Sequence, residues 1–167
     1  MSGKISHSIK KREKPNDVFI TPMILAKKQI DMIEYEDDDI WYDPFKNTGN
    51  YYEQFPNDNK CWSEILYGED FFEQKAEVDI ICSNPPYSMI DKVFEKSISL
   101  NPRVISYLIG MGNLTARRIE NMNNAGYGIK KIVMLKVQKW YGMSFIVHFE
   151  RDQDNCIDVD RTVYYSE

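Results

Sequence analysis

The sequence predicts an α/β domain whose mainly parallel sheet ends in an antiparallel hairpin. Three observations carry this reading. Short apolar runs at Ile40–Tyr42, Val78–Cys82 and Val104–Ile109 suit strands buried on both faces, and stretches with helical spacing lie between them. These runs stop at Asp43-Pro44, at Asn84-Pro85-Pro86 and at Gly110-Met111-Gly112-Asn113, and the carboxyl ends of strands are where open α/β sheets bind ligands. Two later runs, Ile132–Val137 and Ser144–Phe149, are joined through Lys139-Trp140-Tyr141-Gly142 and read as a tight hairpin.

The elements follow in order. Residues 1–16 are polar and basic, with Lys4, Lys10, Lys11, Arg12 and Lys14, and are expected to be a flexible arm. A single domain is expected over 17–167. Thr21-Pro22 reads as a helix N-cap followed by proline at the first helical position, and Met23, Ala26, Ile30 and Ile33 give that helix one apolar stripe. Tyr51, Tyr52 and Phe55 suggest a short helix ended by Pro56, and Cys61–Ile65 reads as a second strand. Ser88, with Asp91 three residues on, marks the start of a helix with Ile90, Val93, Phe94 and Ile98 on its buried face. A helix over 115–125 is closed by Gly126. Val163-Tyr164-Tyr165 suggests a closing strand.

Composition narrows the function classes. A chain of 167 residues with 43% hydrophobic content can bury a substantial core. No apolar run approaches membrane-spanning length, and the N-terminus has no apolar leader, so a cytoplasmic or nucleic-acid-associated protein is expected rather than a secreted one. Three scattered cysteines and two histidines form neither a disulfide framework nor a metal centre. A net charge of −5 argues against a generally sticky nucleic-acid binder but leaves room for a local basic face, such as the lysines and arginines of the second half. His148 lies in an apolar strand and reads as a core or lining residue.

The chemistry concentrates at Asn84-Pro85-Pro86-Tyr87. Two prolines fix two φ angles and remove two donors, so the chain leaves the strand in one rigid geometry. Asn84 offers a side-chain carbonyl and Pro85 a backbone carbonyl, a pair of acceptors suited to an NH2 group. An amine on an aromatic ring or carbonyl is a poor nucleophile because its lone pair is delocalised. Accepting both of its hydrogens out of plane localises that pair. Tyr87 supplies a face for the planar group that carries the amine.

Asn-Pro-Pro-Tyr after an apolar strand resembles the catalytic motif of S-adenosylmethionine-dependent amino-methyltransferases: N6-adenine DNA methyltransferases, some RNA methyltransferases and release-factor glutamine methyltransferases. The resemblance extends over residues 18–149 as an ordered series. Phe19-Ile20-Thr21-Pro22 is similar to the Phe/Tyr-x-Thr-Pro that lines the methionine end of the cofactor. Asp43-Pro44-Phe45-Lys46-Asn47-Thr48-Gly49 resembles the cofactor loop Asp-Pro-Phe-x-Gly-x-Gly. Asn47 stands for the first glycine and can adopt the same positive φ. Asp43 suits a ligand with an ammonium and a sulfonium. Glu64 falls about 20 residues after the first loop, where a carboxylate holds ribose hydroxyls in dinucleotide folds. The resemblance gives Asp70 and Phe71 the adenine of the cofactor, with Glu69 as a fallback acceptor.

The resemblance implies a Rossmann-like class I methyltransferase fold and S-adenosylmethionine as cofactor. It implies Asn84, Pro85, Pro86 and Tyr87 as catalytic residues, with Asn84 also among those that bind the cofactor. From the hairpin, an aromatic (Trp140 or Tyr141) would stack on the target base and Lys139 would meet a phosphate. The leading acceptor is N6 of adenine in DNA; an RNA base or a protein glutamine is the alternative. No separate target-recognition domain is expected, so a protein partner or a second copy of the chain would supply specificity. A rival of another class is a non-catalytic, cofactor-binding subunit of a larger assembly.

Overall fold

The structure, a computed structural model, describes residues 19–162. The expected basic arm over 1–16 and the expected strand at Val163-Tyr164-Tyr165 lie outside the described residues.

Six strands form one sheet: β1 (Trp41–Asp43), β2 (Lys60–Trp62), β3 (Ile80–Ser83), β4 (Val104–Gly110), β5 (Tyr127–Leu135) and β6 (Ser144–Arg151). Their spatial order is β2-β1-β3-β4-β6-β5. The four strands β2, β1, β3 and β4 run parallel, and β6 joins β4 antiparallel with β5 outside it. The predicted parallel sheet with a C-terminal antiparallel hairpin is therefore the observed one. From β1 the chain first moves outward to β2 and then returns to place β3 on the other side of β1. The crevice between the carboxyl ends of β1 and β3 is thus the point at which strand order reverses, the position open sheets use for ligands.

Among the described residues three helices cover the sheet: α1 (Met23–Ile30), α2 (Ile90–Ser99) and α3 (Ala116–Asn124). Alternation along the strands sorts them by face. Trp41, Ile80 and Cys82 pack with Ala26 and Ile30 of α1, whereas Tyr42, Ile81 and Ile105 pack with Val93 and Phe94 of α2 and with Ile119 and Met122 of α3. Both faces are covered, so β3 is buried along its whole length. A buried polar link fixes α1 against the sheet: Gln29 donates to Ser106 at 2.9 Å and accepts from the Tyr51 hydroxyl at 2.7 Å. This link also sets the height at which the chain ahead of α1 meets the crevice.

Several boundaries differ from expectation for local reasons. Helix α1 starts later than Thr21-Pro22 suggests, because Pro22 stays extended and its carbonyl accepts from Leu25 and Ala26, while the Thr21 carbonyl is taken by Asn50. Strand β2 ends at Trp62, since the Glu64 carboxylate accepts from the Leu66 amide and turns the chain into a 3-10 turn, Ile65–Tyr67. The segment Tyr52–Gln54 is likewise a 3-10 turn. Asp91 does not cap α2; it forms a two-pronged pair with Arg118 of α3, and the chain enters α2 through a 3-10 turn, Tyr87–Met89. Strand β5 begins at Tyr127, directly after Gly126, with the Tyr127 hydroxyl anchored on the Pro102 carbonyl. The hairpin is not a tight turn at Lys139–Gly142 but a loop over 136–143, shaped by Lys136, whose ammonium donates to the carbonyls of Trp140 and Gly142. Among the described residues no helix is long and apolar enough to cross a membrane.

Candidate active site

Asp43 closes β1 on the floor of the crevice and is fully buried. Its Oδ1 accepts from the Ser83 hydroxyl at 2.7 Å and from the Phe45 amide at 3.3 Å, while Oδ2 has no protein partner. Burial raises its carboxyl to about 7, against the lowering effect of those hydrogen bonds and of the Tyr52 amide, which also acts on the carboxyl. The loop then turns through two left-handed residues, Asn47 at φ 46° and Gly49 at φ 90°. Asn47 thus adopts the conformation that glycine would supply.

A cavity of about 380 Å³ opens above this floor, within the usual range for small-ligand sites of roughly 300–1,000 Å³. Thr21, Pro44, Phe45, Glu64, Asp70, Phe71, Asn84 and Pro86 line it, so residues from five separate stretches meet in one space. Asp43, Pro22, Gly49, Pro85 and Tyr87 are not among the lining residues. Glu64 Oε2 accepts from the Asn47 amide at 2.8 Å and Oε1 from the Leu66 amide at 3.2 Å. That grip fixes the carboxylate at the cavity wall and leaves lone pairs for a ligand. Asp70 is held in the same way, by the Phe72 amide at 2.9 Å. Phe71 is buried, with its ring 5.1 Å from that of Phe45.

Asn84 also lines the cavity. Its Nδ2 donates to the Phe19 carbonyl at 3.3 Å, and its Oδ1 is buried with no partner. Tyr87 is half-buried, and burial raises its hydroxyl to about 12, so it stays neutral and serves as a flat apolar face. Gly110 backs this ring: a Cβ there would lie 3.4 Å from it, so the absence of a side chain lets the ring sit close to β4.

Sequence reasoning singled out Trp140, Tyr141 and Lys139 in the hairpin. Trp140 approaches the site through Phe19, with ring centroids 5.5 Å apart. Lys139 and Tyr141 are exposed and do not line the cavity. The structure adds residues that spacing alone did not mark. Ile65 and Leu66 form an exposed apolar wall next to Glu64, while Phe19 and Ile20, already marked by the resemblance at Phe19-Ile20-Thr21-Pro22, line the cavity beside Thr21. Lys46 is the cation among the lining residues, with its ammonium 4.2 Å above the Trp62 ring. The signal for Ile65 and Leu66 was present as two apolar residues directly after the candidate ribose acid. His148, by contrast, is a core residue held neutral, with burial lowering its imidazole to about 4.

No protein-family model matches the sequence, and no curated protein matches it. Solved structures share its fold. A candidate RNA methyltransferase from Pyrococcus horikoshii superposes with a TM-score of 0.64 at 14% identity, over 90% of this chain and 99% of that one. The modification subunit of a candidate type I restriction enzyme from Vibrio vulnificus gives a TM-score of 0.61 at 14% identity, over 91% of this chain and 48% of that one. A precorrin-6y C5,15-methyltransferase from Geobacter metallireducens gives 0.58 at 12% identity, over 79% of this chain and 89% of that one. Identities this low speak for the fold, and the three acceptors these descriptions imply differ. The chain has the Rossmann-like α/β fold of methyltransferases.

Proposed function

We propose that the chain is an S-adenosylmethionine-dependent methyltransferase acting on an exocyclic amine, with N6 of adenine in DNA as the leading acceptor. The observation that carries the reading is the pair of unpartnered, buried acceptors around the crevice, Asp43 Oδ2 and Asn84 Oδ1. Buried polar atoms are seldom left without partners, and among the described residues these two, unlike the orphaned atoms of Trp41, Asn57 and His148, belong to the strand ends that flank the crevice. One acceptor is a carboxylate beneath the cofactor loop, suited to a cationic ligand. The other is a neutral carbonyl beside Tyr87, suited to an NH2 donor.

The residues present fit the cofactor. Glu64 would take two vicinal ribose hydroxyls, Asp70 and Phe71 the adenine amine and ring, and Thr21 with the Pro44-Phe45 turn the amino-acid end. Exposed Ile65 and Leu66 offer an apolar face for the same adenine. The bound cofactor would supply an electrophilic methyl on sulfur, whose C–S bond would break as the C–N bond formed, with a neutral thioether as leaving group and water taking the proton of the alkylated nitrogen. The chain's own part is to hold the acceptor in line and to keep its lone pair on nitrogen, with the Asn84 side-chain and Pro85 backbone carbonyls accepting the amine hydrogens. An unpaired or flipped-out base is the acceptor such a site requires. An RNA base is the second reading, because stacking on aromatic rings tolerates either sugar.

Tritium transfer from labelled cofactor onto DNA, RNA and protein separates the readings. Label in alkali-stable DNA is expected. Label in protein glutamine alone, or cofactor binding with no acceptor of any class, overturns the base reading.

A further inference from the structure

Phe19 engages three groups of the site at once. Its ring is stacked on Tyr87, with centroids 6.1 Å apart and planes 24° apart, and meets Trp140 at 5.5 Å. Its carbonyl accepts from the amide nitrogen of Asn84. Tyr87 and Trp140 are the aromatic surfaces on which a planar acceptor would lie, so the ring of Phe19 rests where that acceptor has to go. On its C-terminal side the chain is anchored at Thr21, which is buried and whose carbonyl accepts from Asn50 at 2.7 Å. Ile20 is 55% exposed and Phe19 38% exposed, so rotation about these two residues can withdraw the ring without disturbing the core.

We propose that Phe19 determines acceptor class: its ring holds the place of a planar heteroaromatic amine, and only an acceptor whose own ring replaces it on Tyr87 and Trp140 reaches Asn84. This rests on the methyl-transfer reading above. The exchange substitutes one stacked ring for another, so a nucleobase displaces Phe19 at little cost. An aliphatic amide, such as a glutamine side chain, leaves both rings uncovered and gains nothing in exchange. The Phe19 carbonyl withdraws with the ring and frees the Asn84 amide to settle on the incoming amine. Phe19 thereby selects bases over protein side chains before any sequence is read.

The test is steady-state methylation of poly(dA), with calorimetry for cofactor binding and tryptophan fluorescence for acceptor entry. Phe19→Ala is expected to lower the KM for poly(dA) about fivefold, the loss of roughly one competing ring contact, measured at a cofactor concentration that calorimetry shows to be saturating for each variant, because Phe19 also lines the cofactor cavity. Phe19→Trp, a larger and stickier place-holder, is expected to raise that KM. Addition of poly(dA) to the wild-type protein is expected to shift an emission that Trp140→Phe removes. A wild-type protein that methylates poly(dA) while Phe19→Ala leaves KM unchanged or higher overturns this proposal alone, because Phe19 is then inert or a stacking platform. A wild-type protein that neither transfers methyl nor changes its emission with poly(dA) overturns the base reading and this proposal together.

Discussion

Ser83 at the end of β3 donates its hydroxyl to Asp43 at the end of β1, 2.7 Å away. This one bond ties the cofactor-loop strand to the strand that carries Asn84, across the point where strand order reverses. Asp43 Oδ1 is thereby fixed and Oδ2 is left without a protein partner. The carboxyl that results is buried, raised to about 7, and therefore shared between two charge states near neutrality.

Cofactor affinity should follow that titration. A cationic ligand above Asp43 favours its ionised form, so binding is expected to expel a proton when the carboxyl begins protonated. Affinity should then rise with pH up to about 7 and level off above it. Calorimetry in buffers of different ionisation enthalpy would read the released proton directly. Asp43→Asn should abolish both the proton release and the pH dependence. A pH-independent affinity in the wild type would place Asp43 outside the electrostatic reach of the ligand.

Asn84→Ala should separate chemistry from binding. The variant loses the orphaned carbonyl and its hold on Phe19, yet the floor at Asp43, Glu64 and Asp70 is untouched. Methyl transfer is expected to fall by a factor on the order of 10² to 10³, as when a single positioned polar group is removed from a reacting centre. Cofactor affinity measured by calorimetry should remain within a few-fold. Undiminished turnover would remove the role assigned to Asn84.

How far the sequence revealed this arrangement depends on the kind of signal. The parallel strands were legible because burial on both faces leaves near-continuous apolar runs, as in Ile80-Ile81-Cys82. The residues in which one loop meets one strand end, Asn84 and Glu64 among them, were legible because spacing along a parallel sheet translates into position at its edge. Phe19 was legible as part of the stretch ahead of α1, but its contacts with Tyr87 and Trp140 were not, because they join residues far apart in sequence and no periodicity marks them. The short elements also blurred. The fate of Thr21, Glu64 and Asp91 was decided by tertiary partners (Asn50, Asn47 and Arg118), against the local capping pattern at Thr21 and Asp91.

Glu64 and Asn47 form a unit whose two functions can be parted. Glu64→Ala removes the acceptor of the Asn47 and Leu66 amides as well as any ligand hydroxyl. Cofactor affinity is expected to drop roughly tenfold to a hundredfold, the range for losing charged hydrogen bonds. Glu64→Gln keeps an oxygen for one of the two loop amides but turns an NH2 toward the other, so it should lose less thermal stability than Glu64→Ala while still losing most of the affinity. Asn47→Gly should leave both unchanged, since glycine takes φ 46° freely. Asn47→Val should cost on the order of 1–2 kcal/mol in unfolding experiments, because a β-branched residue resists that conformation.

Asp43 and His148 should load the pH dependence of folding in opposite directions. Asp43 is raised from 3.8 to about 7 by burial, so between those values the folded chain keeps a proton that the unfolded chain has released. Its contribution to stability therefore falls as pH rises through that window. His148 is lowered from 6.5 to about 4 by burial, so between those values it is the unfolded chain that holds the extra proton. Its contribution rises with pH. Each slope approaches about 1.4 kcal/mol per pH unit where one state is protonated and the other is not. From about pH 4 to pH 6.5 the two contributions oppose one another. Denaturant unfolding across this range should show Asp43→Asn tilting the stability profile of the wild type upward with pH, and His148→Leu tilting it downward. A double variant should return to the wild-type slope, since the sites titrate independently. Equal tilts of the same sign in both single variants would mean that one of these groups is not buried in the charge state given to it here.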